Sequence, residues 1–194
     1  MKAVPQSATW RSRARSALAF RAVNRPGQPG YQPAMQRHHL LPRQLLGCSA
    51  FARMFAALGL KRMGFDDFRR NGLLLPSSEE AVERVRLPLH RGPHNSYNAM
   101  VEQRVGQIEA DWETARARDC RAAREQALMR LDLLQSALRR RLLMAQELPI
   151  RLNRNDPLGT GLDFTELDAM AEALWQASAP VTIEPGADRE KAGT

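Results

Sequence analysis

The feature that most constrains the fold is a long helical pattern in the second half of the chain. From Asn95 to about Gln146, apolar residues recur three or four positions apart with charged residues between them, which is the spacing of one face of an α-helix. The polar stretch Thr114–Arg124 lies within it, so the pattern predicts either one long helix or two helices with a break. Two apolar stripes carry the pattern: Tyr97, Val101, Val105, Ile108 and Trp112, and then Leu128, Leu131, Leu134, Leu138 and Leu142.

Shorter elements precede this helical region. Residues 45–60 have apolar side chains at helical spacing and predict an amphipathic helix, followed by a loop over Gly64–Asn71. The segments His38–Pro42 and Gly72–Pro76 are short, largely apolar and ended by proline, which favours brief strands. Ser77-Ser-Glu-Glu80 is typical of a helix start and predicts a short helix to about Val85. The predicted fold class is therefore α+β, mostly helical.

Changes in composition divide the chain into four predicted parts. They are a basic arm, disordered or weakly helical, over 1–30; a compact core over 31–112; a helical extension over 113–178, with a short helix at about Phe164–Ala177; and a disordered tail over 179–194. The arm ends in the turn-rich Arg25–Gly30, which is typical of a linker.

Composition also excludes several classes of protein. No run of about 18 apolar residues occurs, so no membrane span is expected. The N-terminus is basic but has no apolar core, so a Sec signal peptide is not expected either. Cys48 and Cys120 are far apart and form no disulfide framework. We therefore expect a protein that folds in the reducing cytoplasm.

Positive charge is concentrated at the beginning of the chain. The net charge is +8, but residues 1–65 hold eleven basic residues and no Asp or Glu, while the remainder nets −3. Such a basic region favours a polyanionic partner, because neutralising phosphates releases condensed counterions. An acid-poor leader or a solvated tail would have the same composition, so charge supports nucleic-acid binding without deciding it.

The four histidines occur in two pairs. His38 and His39 are adjacent, and adjacent residues of an extended segment point to opposite sides. His90 and His94 are separated by Arg-Gly-Pro, and both rings can converge on one ion if His94 lies in the first turn of a helix begun by Pro93. Imidazole nitrogen suits zinc and nickel and tolerates magnesium or manganese. Spacing alone leaves a structural and a catalytic metal site open.

Three blocks of sequence carry a resemblance to a known family. His38-His39-Leu-Leu-Pro is followed by Asn71-Gly-Leu-Leu-Leu-Pro and then by Leu89-His90-Arg-Gly-Pro-His94-Asn-Ser-Tyr97-Asn98. This order resembles the AHH family, predicted nucleases of the HNH/endonuclease VII (His-Me finger) superfamily that often occur as modules of bacterial polymorphic toxins. The resemblance covers roughly Tyr31–Trp112. Arg37 precedes the histidine pair where the family motif has alanine.

The resemblance implies a fold and a chemistry. It implies a ββα-metal core with added helices and a long C-terminal helical extension, holding one divalent ion (Zn, Mg, Mn or Ni). The implied activity is metal-dependent endonuclease hydrolysis of nucleic acid, DNA rather than RNA. The resemblance further implies a toxin or effector, which a specialised secretion system would deliver and an immunity protein would inhibit.

The resemblance also implies a role for each site residue. His38, His90 and His94 would be metal ligands and His39 the general base, with Asn71 orienting the base by holding the turn between the strands. Tyr97 and Asn98 match the pattern after the histidines, where packing is one role. Arg37, Arg43 and Arg91 are candidate phosphate contacts, since guanidinium binds phosphate bidentately.

Two other kinds of protein fit parts of the sequence. One is a non-enzymatic nucleic-acid-binding protein whose histidines form a structural zinc site. The other is a helical interaction module, in which residues 95–146 pair with a partner. The leucine stripe is flanked by Met129, Leu133 and Leu143, which makes the apolar face broader than a strict coiled-coil seam.

Overall fold

The computed structural model describes residues 16–144, 150 and 152 of the chain. The predicted helix at about Phe164–Ala177 and the predicted tail over 179–194 lie outside the described residues, as do the first fifteen residues of the predicted arm.

The described part of the chain contains two strands, six α-helices and two short 3-10 helices. They are β1 (Met35–His39), β2 (Gly72–Pro76), α1 (Ser49–Leu58), α2 (Leu60–Met63), α3 (Phe68–Asn71), α4 (Glu79–Val85), α5 (Asn95–Arg116) and α6 (Cys120–Leu143), with the 3-10 helices at Phe20–Ala22 and Arg43–Gly47. The mostly helical α+β class predicted from the sequence is confirmed.

The two strands pair antiparallel and place the histidine pair at one end of the sheet. His38 lies opposite Leu73, and His39 lies opposite Gly72. Because successive side chains of a strand point to opposite faces, His38 is buried, with 1% of its surface exposed, whereas His39 is half-buried on the other side.

The connection between the strands is long and helical rather than a tight turn. It contains the Arg43–Gly47 3-10 helix and then α1, which ends at Gly59, where φ is 80°. The predicted loop over Gly64–Asn71 was wrong in its last four residues, which form α3. Asp67 caps that helix by accepting a hydrogen bond from the Arg69 amide at 3.0 Å, and this satisfies an amide that lacks a partner inside the helix.

The helical region after Asn95 forms two helices, the second of the alternatives the sequence left open. The break falls at residues 117–119, where Asp119 accepts hydrogen bonds from the amides of Arg121 and Ala122 and so begins α6. The two helices pack on each other and on α1, and Arg130 of α6 pairs with Asp111 of α5.

The two predicted apolar stripes form much of the hydrophobic core. Their buried members are Tyr97, Val101, Val105, Ile108, Trp112, Leu131, Leu134, Leu138 and Leu142, whereas Leu128 is only partly buried. None of the described helices is long and apolar enough to span a lipid bilayer.

Residues 16–24 lie against the core, which differs from the separate arm expected for this part of the chain. Ala19 forms a β-bridge with Asp67, and the Phe68 amide donates to the Leu18 carbonyl at 2.7 Å. The turn-rich composition does describe the loop at Arg25–Gly30, but the residues before it have hydrogen-bonding partners that are distant in sequence.

Candidate active site

Three of the four histidines converge at the end of the sheet. β1 supplies His38, and the loop before α5 supplies His90 and His94. One ligand nitrogen from each ring lies within 4.8 Å of the other two, and the ring centroids are 4.9 to 5.2 Å apart. Convergence of three imidazoles is an arrangement that can hold a metal ion.

Backbone contacts position the second histidine pair. The His90 amide donates to the Pro76 carbonyl at 2.8 Å, which attaches the loop to the end of β2. Gly92 has a φ of 78°, a left-handed conformation that turns the loop back toward the sheet. His94 is the N-cap of α5, so Pro93 precedes the helix and does not lie in its first turn as expected. The imidazole rings of His90 and His94 therefore meet because the loop turns at Gly92.

Hydrogen bonds orient His90 and His94 so that both present Nε2 to the same point. The Nδ1 of His90 lies 3.2 Å from Gln36 Oε1, and the Nδ1 of His94 lies 2.9 Å from Asn98 Oδ1. An amide oxygen only accepts, so each Nδ1 is the donor and each Nε2 carries a lone pair. The two Nε2 atoms are 3.2 Å apart, close to the separation of about 3.3 Å for two imidazoles on one tetrahedral zinc.

His38 completes the set from inside the protein. Both of its ring nitrogens are buried and have no hydrogen-bond partner among the described residues, a costly state that ligation of a cation would relieve. Burial, followed by the charges of His90 and His94, holds the pKa of His38 well below its ordinary value. Burial and His94 likewise lower the pKa of His90 to about 4. These residues are therefore in the neutral form that binds metal, and the donor set fits a divalent ion.

Tyr97 closes the site from α5. Its ring lies 5.0 Å from that of His38, and its hydroxyl donates to the buried Leu40 carbonyl at 2.8 Å. Burial raises the pKa of Tyr97, so it stays protonated and keeps this bond. It therefore holds α5 against the residues that follow β1, a packing role.

His39 lies beside the cluster and not within it. Phe20 stacks on its imidazole, with ring centroids 3.7 Å apart and planes 2° from parallel. Burial, followed by the charge of Arg43, lowers the pKa of His39 to about 4. Its imidazole is thus neutral at pH 7 and able to accept a proton.

Asn71 holds the backbone that leaves β1. Its Oδ1 accepts from the Leu41 amide at 2.7 Å, and its Nδ2 donates to the Phe65 carbonyl at 3.0 Å. The side chain is fully buried. It therefore joins the two ends of the long connection between the strands. Its side chain bonds to Leu41, two residues after His39, and not to His39 itself. Any role of Asn71 in orienting the base therefore acts through the backbone.

The three predicted phosphate contacts have different environments. Arg37 and Arg43 line a cavity of about 260 Å³ together with the four histidines. Arg37 donates to the Phe20 carbonyl at 2.9 Å, and Arg43 lies 3.5 Å from Asp66 at the surface. Arg91 is exposed in the loop between His90 and His94 and is not among the residues that line this cavity.

Sequence reasoning missed three residues of the site. Gln36 orients His90, Phe20 stacks on His39, and Gln44 lines the cavity while accepting from Asn98 Nδ2 at 2.9 Å. Gln36 is two residues from His38, on an exposed strand position, and its proximity to the motif was the only available signal. Phe20 and Gln44 had no signal in the sequence, since only folding brings them to the histidines.

A two-stranded antiparallel sheet, a following helix and three converging imidazoles beside a fourth histidine are compatible with the ββα-metal core that the resemblance implied. A family model described as a nuclease family of the HNH/ENDO VII superfamily with conserved AHH matches residues 19–138. The chain belongs to this AHH family. The match extends beyond Tyr31–Trp112 in both directions and includes Phe20 and most of α6. No curated protein and no solved structure matches the chain significantly.

Proposed function

We propose that the protein is a metal-dependent endonuclease that hydrolyses phosphodiester bonds of nucleic acid with His39 as general base. The observation that carries the proposal is the arrangement of the histidines: three converge for one ion, and the fourth, neutral, lines the same cavity. Membership of a nuclease family gives the class of reaction.

In this mechanism each residue has one role. His38, His90 and His94 would hold a single divalent ion, which would supply Lewis-acid stabilisation of the negative charge that develops during hydrolysis. His39 takes a proton from the water that attacks phosphorus. Asn71 is a positioning residue that fixes the chain after His39. The ion's identity among Zn, Mg, Mn and Ni is left to experiment.

The substrate is the next part of the proposal. Arg37 and Arg43 supply positive charge at the cavity that His39 lines. Arg91 is exposed in the loop between His90 and His94, where it could contact a more distant phosphate. Guanidinium groups favour phosphate oxygens. We propose DNA as the preferred substrate over RNA.

We further propose a toxin or effector role with an immunity protein as partner, for which the support is the family's occurrence in bacterial polymorphic toxins.

The test is a cleavage assay on supercoiled DNA and on RNA with Zn, Mg, Mn and Ni, comparing the wild type with His39→Ala. We expect chelator-sensitive cleavage by the wild type. His39→Ala should keep its metal affinity and lose about 10²- to 10⁴-fold in rate, the usual contribution of a general base. Gln103→Ala, at an exposed position of α5, is the matched control and should cleave normally.

Two outcomes would contradict the proposal. Cleavage by His39→Ala at the wild-type rate would remove His39 as the base. A wild-type protein that binds metal and DNA but cleaves neither nucleic acid with any ion would instead favour the structural-zinc, non-enzymatic alternative.

A further inference from the structure

We propose that Phe20 is a positioning residue for the base: its ring fixes the plane in which the His39 imidazole receives a proton. The inference rests on the proposed function and adds to it a residue outside the three blocks of sequence that carry the family resemblance. It follows from the ring contact and from the way the chain around Phe20 is attached.

The contact between the two rings is close and nearly parallel. A centroid separation of 3.7 Å with planes 2° apart leaves the imidazole little freedom to rotate against the phenyl face. Rotation about the second side-chain torsion of histidine has broad minima, so the ring plane must be set by its neighbours. Phe68 supports Phe20 edge-on at 5.1 Å and 76°, which keeps the phenyl ring itself in place.

The chain on one side of Phe20 is held by α3. The Leu18 amide donates to Asp67 Oδ1 at 3.0 Å, and the Leu18 carbonyl accepts from the Phe68 amide at 2.7 Å. Arg69 Nη1 donates to the Ser16 carbonyl at 2.6 Å. The helix that ends at Asn71, next to His39 across the sheet, thus also anchors the segment that carries Phe20.

The chain on the other side of Phe20 is held by Asn24. Its Nδ2 donates to the carbonyls of Gln32 and Met35 at 2.9 and 2.8 Å, and its Oδ1 accepts from the Gln32 amide at 2.7 Å. Its φ of 49° is a left-handed conformation that asparagine tolerates. These bonds attach the segment to the start of β1, the strand that bears His39.

Arg37 provides the third attachment, at Phe20 itself. Its Nη1 donates to the Phe20 carbonyl at 2.9 Å, so the residue two positions before His39 holds the backbone of the residue that stacks on His39. Phe20 is only half-buried and is not part of the main hydrophobic cluster. Its stacking contact therefore contributes more to the geometry of the base than to the core.

The experiment compares Phe20→Leu with Phe20→Tyr in the full chain. Leucine keeps an apolar side chain but has no flat face, so we expect kcat to fall about 10-fold, since small misplacement of a reacting group costs up to about 100-fold. KM, metal affinity and the unfolding temperature should change little. Tyrosine restores the flat face and should restore kcat. Phe51→Leu, in the buried face of α1, is the control: it should lower stability and leave kcat unchanged.

Asn24→Gly tests the attachment without touching either ring. Glycine adopts the left-handed backbone but lacks the side chain that makes three hydrogen bonds. We expect kcat to fall, as it does in Phe20→Leu. The double variant should lose little more than Phe20→Leu alone, because both changes remove the same contact.

A second measurement does not depend on activity. In the NMR spectrum the ring current of Phe20 should shift the His39 ring protons upfield, and this shift should disappear in Phe20→Leu but persist in Phe20→Tyr.

Three results would overturn the inference. Unchanged kcat in Phe20→Leu, with His39→Ala inactive, would reject it while leaving the proposed function intact. A faster Phe20→Leu enzyme would show that the segment obstructs the base and does not position it. A wild type that fails to cleave nucleic acid would reject the proposed function, and this inference with it.

Discussion

At the scale of residues, the proposed metal site depends on which nitrogen of each imidazole would face the ion. Gln36 and Asn98 accept from Nδ1 of His90 and His94 and so leave Nε2 free on both. Such outer contacts fix the tautomer and the ring orientation of metal-binding histidines. His38 has no such hydrogen bond among the described residues, and its ring is held by packing between His90, His94 and Tyr97.

Gln36→Ala should weaken metal binding about 10-fold, because loss of an outer hydrogen bond to a ligand typically costs 10- to 100-fold in affinity. Isothermal titration with zinc measures the effect. Gln103→Ala removes an exposed glutamine from α5 and should bind zinc like the wild type. Equal affinity of Gln36→Ala and the wild type would show that the Gln36 contact does not orient His90.

At the scale of elements, the junction of α3 and β2 is the most constrained point near the site. Asn71 ends α3 and ties it to Leu41, and Gly72 begins β2 opposite His39. The backbone of Gly72 is ordinary extended chain, so its glycine is required by space. A Cβ at this position would overlap the ring of Phe68, the residue that supports Phe20.

Gly72→Ala should therefore reduce the free energy of unfolding by about 1 to 3 kcal/mol, the usual cost of overpacking. Urea denaturation measures it, with the slope expected to stay constant. In a Phe68→Ala background the same change should cost little, because the overlapping ring is absent. Gly47→Ala is the matched control, since a Cβ there meets no atom within 4 Å. A Gly72→Ala protein as stable as the wild type would contradict this account.

At the scale of the whole molecule, the fold brings acidic residues of the later helices next to some of the basic residues in the first third of the chain. Arg53 and Arg62 pair with Glu113 of α5 and Glu125 of α6, each at 3.3 Å. These pairs are exposed and contribute little to stability, but they place acidic groups beside part of the basic region. Arg37 and Arg43 line the cavity, where their positive charge would serve the proposed phosphate binding.

A bound ion should also stabilise the whole molecule, because its ligands come from β1 and from the loop before α5. Zinc at about 100 times its dissociation constant should add about 2.7 kcal/mol, which raises the unfolding temperature by about 5 to 10 °C for a chain of this size. Differential scanning calorimetry with zinc and then with chelator measures the shift. His90→Ala should abolish it and Cys48→Ala, outside the cluster, should not. A shift that persists in His90→Ala would place the ion elsewhere.

The class of fold, and the histidines that occur in the three blocks of sequence, were predictable because both depend on local signals. Apolar side chains at helical spacing bury one face whatever surrounds them, and the order of the three blocks carried the family resemblance. The break between α5 and α6 was left open, since a polar stretch is compatible with a continuous helix until Asp119 is seen to cap α6.

The sequence by itself determined the helical content, the strand at Gly72–Pro76 and the four histidines, since these follow from side-chain periodicity and residue type. The first strand lies at Met35–His39 and not at the predicted His38–Pro42. Only the tertiary structure brought His38, His90 and His94 together and stacked His39 on Phe20. The family resemblance implied that grouping of the histidines, whereas no sequence signal indicated the stacking. The tertiary structure also attached residues 16–24 to the core, where the composition favoured a free arm. The physical reason is that these contacts join residues 19 to 56 positions apart, and no local pattern encodes such a pairing.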